Sequence, residues 1–221
     1  MIPSLVIFDC DGVLVDSETI SCRVEMDMLG AIGHPIAYDE FCRRAIGRSR
    51  KDTNAMLDSL WDRKLPGDWG ERVRAATIAI FETELRPVSG IGEILAGLGP
   101  IKRCVASSSH PSRIARSLAL TGLADYFGPY VFSASEVKNG KPAPDLFLYA
   151  AERMGVEPQR CLVIEDSLPG IIAARAAGMT AIGLTAAGHC KPGHDDVLRT
   201  AGADAIAADT AALAALIHGT G

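Results

Sequence analysis

The chain of 221 residues, 48% of them hydrophobic, is long enough to bury a full core, as one large domain or one domain carrying an insertion. A net charge of −5, from 27 acidic and 22 basic residues, excludes the basic excess that a nucleic-acid-binding surface requires. No apolar run approaches a membrane span, no basic segment precedes the first apolar run, and the six cysteines contain no C-x-x-C pair, so a soluble cytoplasmic protein with reduced thiols is expected.

Residues 5–8, Leu-Val-Ile-Phe, form a short apolar run that reads as a strand buried on both faces. Asp9 and Asp11 follow at once. In an extended chain residues i and i+2 face the same way, so the two carboxylates share one small volume. Like charges that close repel unless a cation lies between them or one acid stays protonated. Gly12 permits a turn that other residues resist, and an Asp-rich bend with no further role is the plainer alternative. From 18 to 86 the texture is helical. Ile20, Val24 and Met28 recur at helical spacing and stop near Gly30, Gly33 and Pro35, and further helices are expected over 38–46, 51–61 and 68–85. Roughly seventy residues of this kind suit a small four-helix unit. Beyond Pro87, strands over 101–106, 130–132, 161–164, 180–184 and 205–207 alternate with helices over 112–120, 143–154, 168–177, 195–201 and 210–217. That alternation predicts an α/β fold, a parallel sheet with helices on both faces. The domain plan is one core, 1–16 and 88–221, interrupted by a helical insertion, 17–87. Ligand sites of open α/β sheets lie at the carboxyl ends of the strands, so the insertion would sit over the site like a lid.

Each of those strand ends carries polar groups. The first has Asp9 and Asp11; the second has Ser107, Ser108 and Ser109 ahead of a helix near Pro111. Hydroxyls at a helix start form a phosphate seat, or an ordinary serine cap. The loop before the next helix holds Lys141 between Gly140 and Pro142, and the fourth strand ends in Glu165-Asp166-Ser167. A second acidic pair after a buried strand is costly unless balanced. Carboxylate oxygens suit Mg²⁺, which takes few protein ligands besides substrate phosphate, and lysine and serine suit phosphate oxygens. The combination describes phosphoryl transfer with an aspartate nucleophile. Soft-ligand metals are disfavoured: His189-Cys190-Lys-Pro-Gly-His194 imitates a metal spacing, but two histidines and one thiol in a loop argue only weakly for one.

The segments Asp9-Cys-Asp-Gly-Val-Leu-Val-Asp-Ser, Ala106-Ser107-Ser108, Lys141-Pro-Ala-Pro-Asp and Ile164-Glu165-Asp166-Ser-Leu-Pro-Gly, in this order, resemble the four motifs of the haloacid dehalogenase superfamily. The likeness covers essentially the whole chain and is nearest to the branch of β-phosphoglucomutase-like proteins and small-molecule phosphatases with a helical cap. It implies a Rossmann-like core with a mobile cap, a Mg²⁺ cofactor, a small phosphorylated metabolite as substrate and, by analogy, a monomer. By the same resemblance Asp9 is the nucleophile and a metal ligand. Asp11 binds the metal through its backbone carbonyl and serves as general acid and then base. That chemistry needs Asp9 ionised and Asp11 protonated. Ser107, with Ser108, would contact phosphate, Lys141 would neutralise charge on phosphate and on Asp9, and Asp166 would complete the metal site with help from Glu165. Dehalogenases of the superfamily attack carbon without Mg²⁺ and lack the second aspartate, so Asp11 favours phosphate esters.

The mutases resemble the chain even at Gly47-Arg48-Ser49-Arg50-Lys51-Asp52, which looks like their substrate-contacting segment. They also carry a histidine early in the first cap helix, where Glu18-Thr19-Ile20-Ser21 has none, so hydrolysis is favoured over isomerisation. A phosphoglucomutase-type enzyme and a catalytically idle metabolite-binding protein are the alternatives. Arg43, Arg44, Arg48, Arg50 and Lys51 form either a solvated basic face or, through Arg50 and Arg48, a contact to a second polar group of a sugar phosphate or a sugar acid such as 6-phosphogluconate. His34 reads as structural.

Overall fold

The computed structural model describes residues 2–46, 48, 50–61 and 64–219. Six strands, β1 (Leu5–Phe8), β2 (Lys102–Ser107), β3 (Val131–Ser133), β4 (Cys161–Glu165), β5 (Thr180–Leu184) and β6 (Ala205–Ala207), pair in parallel in the order β3-β2-β1-β4-β5-β6. The expected Rossmann-like parallel sheet is therefore present. The chain builds outward from β1 in one direction as far as β3, then returns to β1's other side with β4. That reversal makes the carboxyl ends of β1 and β4 the topological switch point, where such sheets bind ligands.

Strand β1 is central and fully buried, which explains its unbroken apolar run. Val6 and Phe8 enter one core cluster with Ile94 and Leu95 of α5 (Ile91–Gly97), Ile114 and Leu118 of α6 (Pro111–Leu120) and Leu213 of α10 (Thr210–His218). Leu5 and Ile7 enter the opposite cluster with Leu146, Phe147 and Ala150 of α7 (Asp145–Met154), Ile171 of α8 (Leu168–Ala176) and Leu198 of α9 (His194–Thr200). Helices therefore cover both faces. Each buried aliphatic or aromatic side chain contributes about 1.5–3 kcal/mol relative to exposure.

Between β1 and β2 lie α1 (Glu18–Ala31), α2 (Tyr38–Ala45), α3 (Arg50–Trp61) and α4 (Trp69–Glu84). These four helices pack about their own core of Cys22, Leu29, Phe41, Leu57, Trp69 and Val73. One edge of α1 and α4, carrying Ile20, Val24 and Phe81, joins the sheet's core instead. The chain leaves and re-enters the sheet layer side by side: Asp16 N–H donates to the Arg86 carbonyl at 3.0 Å, and Val88 N–H to the Leu14 carbonyl at 3.0 Å. His34 stacks on Trp61, with ring centroids 4.8 Å apart. Gly47 and Ser49 of the 47–52 segment lie outside the described residues.

Three details depart from expectation. Helix α5 was not anticipated, because seven residues with glycine at 92 and 97 present too short an apolar stripe, Ile91, Ile94 and Leu95, to stand out. Strand β2 runs to Ser107, which pairs with Ser133, so Ser107 is anchored in the ladder rather than in the loop. Helix α9 starts at His194, which orients that side chain toward the sheet end. Among the described residues, no helix is long and apolar enough to cross a membrane.

Candidate active site

Asp9 follows β1, and its N–H still donates to the Ile164 carbonyl of β4 at 3.0 Å, so its Cα sits at the sheet's end. A tight loop comes next: Gly12 N–H donates to the Val15 carbonyl at 2.8 Å, and Leu14 N–H to the Cys10 carbonyl at 3.0 Å. Gly12 takes φ +82°, and a Cβ there would collide with the Asp166 carboxylate and crowd the His189 ring. Glycine is needed at 12 for its backbone angle and for this close approach.

Lys141, only 3% exposed, reaches across to Asp9. Its Nζ donates to Asp9 Oδ1 at 2.6 Å, to Glu165 Oε1 at 2.7 Å and to the Ala106 carbonyl at 3.0 Å. Burial alone would lower its pKa, but the Asp9 and Glu165 charges outweigh that and keep the ammonium protonated. The other Glu165 oxygen, Oε2, accepts the N–H groups of Asp166 and Ser167 and the Ser167 hydroxyl, each at 2.9 Å. Gly170 leaves room for it, since a Cβ there would strike the Glu165 carboxylate. Glu165, expected to help at the metal directly or through water, places one oxygen on Lys141 and the other on the turn that opens α8.

Asp11 accepts three side-chain hydrogen bonds. Its Oδ1 accepts Ser17 Oγ and Arg113 Nη2, each at 2.5 Å, and its Oδ2 accepts Ser109 Oγ at 2.6 Å. Burial would raise its pKa, but the Arg113 charge and the two hydroxyls outweigh it and pull the carboxyl below its ordinary range. Asp9 moves the other way: burial drives it well up, Lys141 opposes, and the charges of Glu165, Asp166 and Asp11 add to the rise. The two shifts thus run in the opposite directions to those that an ionised Asp9 and a protonated Asp11 would need. The physical reason is that Asp9 shares its single cation with Glu165, whereas Asp11 has Arg113 and two hydroxyl donors.

Asp166 is 2% exposed, and its Oδ2 accepts no hydrogen bond. His189 Nε2 lies 3.0 Å from that oxygen, within ion-pair distance, but its N–H is not directed at it. Asp166 raises the His189 pKa to about 11 against the lowering effect of burial. Asp9, Asp11, Glu165 and Asp166 stand close together around Lys141 and Arg113, with His189 paired to Asp166. Clustered carboxylate oxygens are the hard donors that Mg²⁺ takes, so the donor set fits that ion.

Asp9, Asp11, Glu165, Asp166, Lys141 and Arg113 line one cavity of about 120 Å³ together with Ser107, Ser108 and Ser109. Ser108 Oγ and Arg113 Nε are buried there without partners, free to meet an anion. Ser107 Oγ accepts the Ser109 N–H at 3.1 Å and retains its own proton for donation. The opposite wall comes from the four-helix block, including Glu18, Ser21, Arg48, Arg50 and Arg74. Arg50 is not idle: its Nη1 donates to the buried Glu25 at 2.5 Å, and Trp69 Nε1 to the same oxygen at 3.1 Å. Burial and the nearby Asp11 raise Glu18 to about 7.

Sequence reasoning missed Arg113, Ser17, Ser109 as a partner of Asp11, and Glu18. Nothing in the local pattern marks Arg113, which meets Asp11 across 102 residues. His189, Cys190 and His194, whose spacing argued only weakly for a metal, converge beside Asp166.

Residues 3–178 match the haloacid dehalogenase-like hydrolase family. Over 188 residues, 85% of each chain, the sequence is 30% identical to the 6-phosphogluconate phosphatase of Escherichia coli K12. A conserved haloacid dehalogenase-like protein of Agrobacterium tumefaciens shares the fold with a TM-score of 0.84 and 37% identity over 98% of both chains. A hydrolase of the family from Deinococcus radiodurans, solved with bound phosphate and sodium, gives a TM-score of 0.78 and 31% identity over 98% of this chain and 95% of that one.

Proposed function

The chain belongs to the haloacid dehalogenase-like hydrolases, and from that premise we propose that it is a Mg²⁺-dependent phosphatase of small phosphorylated metabolites, working through an aspartyl-phosphate on Asp9. The observation that carries this reading is the buried bridge from Lys141 Nζ to Asp9 Oδ1, with Asp11 and Asp166 in the same cavity wall. Asp9 and Asp166, with the Asp11 backbone carbonyl, would hold the metal. When bound, it offsets the repulsion between an anionic nucleophile and an anionic phosphate.

Lys141 engages Asp9 Oδ1 and leaves Oδ2 to attack phosphorus, forming the Oδ2–P bond as the ester P–O bond breaks. Asp11 gives its proton to the leaving oxygen, then takes one from the water that hydrolyses the aspartyl-phosphate. Arg113 holds Asp11 Oδ1, so Oδ2, which accepts from Ser109, is the oxygen that would carry the proton. Ser107 and Ser108 donate to phosphate oxygens, Ser108 with a hydroxyl that has no other partner. Helices α1–α4, within 17–87, act as a cap, and Arg48, Arg50 and Arg74 in its wall suit a second anionic or hydroxyl-rich end. A sugar phosphate or phosphosugar acid meets that description, in keeping with the Escherichia coli relative named for 6-phosphogluconate.

Phosphate release from a panel of sugar phosphates and 6-phosphogluconate, before and after EDTA and with Mg²⁺ restored, tests the proposal. Mg²⁺-dependent release supports it. Conversion of a sugar 1-phosphate to its 6-phosphate isomer with little free phosphate would replace hydrolysis with mutation of the phosphate position. No turnover of the panel or of p-nitrophenyl phosphate would leave a binding protein.

A further inference from the structure

We propose that His189, Cys190 and His194, between β5 and α9, form a binding site for a soft divalent cation such as Zn²⁺, with Asp166 as its fourth donor. One ring nitrogen of each histidine and Cys190 Sγ lie within 4.8 Å of one another. Two imidazoles and a thiol make a nitrogen–sulfur set that suits Zn²⁺ and is ill suited to Mg²⁺. With Zn–S near 2.3 Å and Zn–N near 2.05 Å, the S···N edge of a tetrahedral site is about 3.5–3.6 Å. Cys190 Sγ and His189 Nε2 are 3.5 Å apart.

The orientation of His194 adds to this. Its Nε2 lies 2.6 Å from the Asp166 carbonyl oxygen, an atom that only accepts, so the ring proton sits on Nε2. Nδ1 then carries the lone pair. A histidine that donates one ring N–H to a backbone carbonyl while the other nitrogen faces a cluster is the usual outer support of a metal ligand. The fourth donor is Asp166 Oδ2, which pairs with His189 Nε2 at 3.0 Å, so the ion takes the place of the proton between them. Asp166 lies outside the three-residue set, and its carboxylate must move to reach the tetrahedral N···O edge of about 3.4 Å.

This carboxylate is also the one proposed to hold Mg²⁺. On the reading of Asp166 as a Mg²⁺ ligand, the two cations compete for one carboxylate, and Zn²⁺ here inhibits hydrolysis without occupying the Asp9 site. The cluster is thus an inhibitory metal site built against the back of the catalytic one.

Cobalt substitution tests the site independently of turnover. Titrating the metal-free protein with Co²⁺ should give one equivalent bound, with a thiolate-to-cobalt charge-transfer band in the near ultraviolet. The band should vanish in Cys190→Ser and weaken at least tenfold in apparent affinity in His194→Gln, with circular dichroism verifying that both variants are folded. Absence of the band in the wild type, or its persistence in Cys190→Ser, would overturn the site. Zn²⁺ inhibition is then measured against each variant's own zinc-free rate at saturating Mg²⁺. The half-inhibiting concentration should rise at least tenfold in Cys190→Ser; an unchanged value would overturn the competition for Asp166. If no phosphatase activity exists at all, the cobalt band still decides the site, and only the functional reading fails.

Discussion

Replacing Lys141 with methionine removes one buried charge and leaves a cluster of orphans. Asp9 Oδ1, Glu165 Oε1 and the Ala106 carbonyl all lose their donor, while both acids stay nearly inaccessible. Breaking one side of a buried ion pair costs about 3–5 kcal/mol. For a chain of this length each kcal/mol is worth about 2–4 °C, so the melting temperature should drop by roughly 10 °C. The effect depends on pH with a definite sign. Burial already raises Asp9 and Glu165, and loss of Lys141 raises them further, so the folded variant holds protons that the unfolded chain releases. Its stability therefore falls as pH climbs above the ordinary carboxyl range. The deficit against wild type should be largest at pH 7–8 and shrink toward pH 5. Thermal melts followed by circular dichroism in EDTA, at both ends of this range, measure it. A difference below about 2 °C at neutral pH, or a deficit that grows on acidification, would refute the account of Lys141 as the cation that stabilises this acid cluster.

Asp9→Asn should cut phosphate release at least ~1,000-fold, as loss of a covalent nucleophile does, while its melting temperature in EDTA stays equal or rises because one crowded carboxylate is neutralised. Residual hydrolysis above a tenth of wild type would rule out Asp9 as the nucleophile. Arg113→Met frees Asp11 from the charge that lowers its pKa, so that pKa rises and the alkaline limb of the kcat profile should move to higher pH. An unmoved limb would mean that Arg113 does not govern Asp11. Glu18, raised to about 7, is neutral below that pH and anionic above it, so KM for an anionic substrate should increase between pH 6 and pH 8. In Glu18→Gln that increase should disappear; a profile identical to wild type would place Glu18 outside the substrate's reach.

What the amino-acid order determined by itself is whatever local pattern can encode. Four apolar residues between positions 5 and 8 specify a strand buried on both faces, and β1 alternates its side chains between the two cores as that run demands. Asp9, Asp11, Lys141 and Asp166 were legible because each stands at the end of a strand or in a loop pinned by glycine and proline. The division of labour among the acids was decided elsewhere. Glu165 and Asp166 are neighbours in sequence, yet Gly170 opens a pocket under α8 that takes the Glu165 carboxylate, while Asp166 Oδ2 pairs with His189. Arg113 lowers the Asp11 pKa from the first turn of a helix whose own pattern records only its packing face. His189 and His194 reach Asp166 only because β4 and β5 are adjacent and the loop after β5 folds back over that edge. Periodicity constrains residues a turn or a pleat apart, whereas a pKa responds to whichever charge lies within a few ångströms, and only the packed sheet chooses which charge that is.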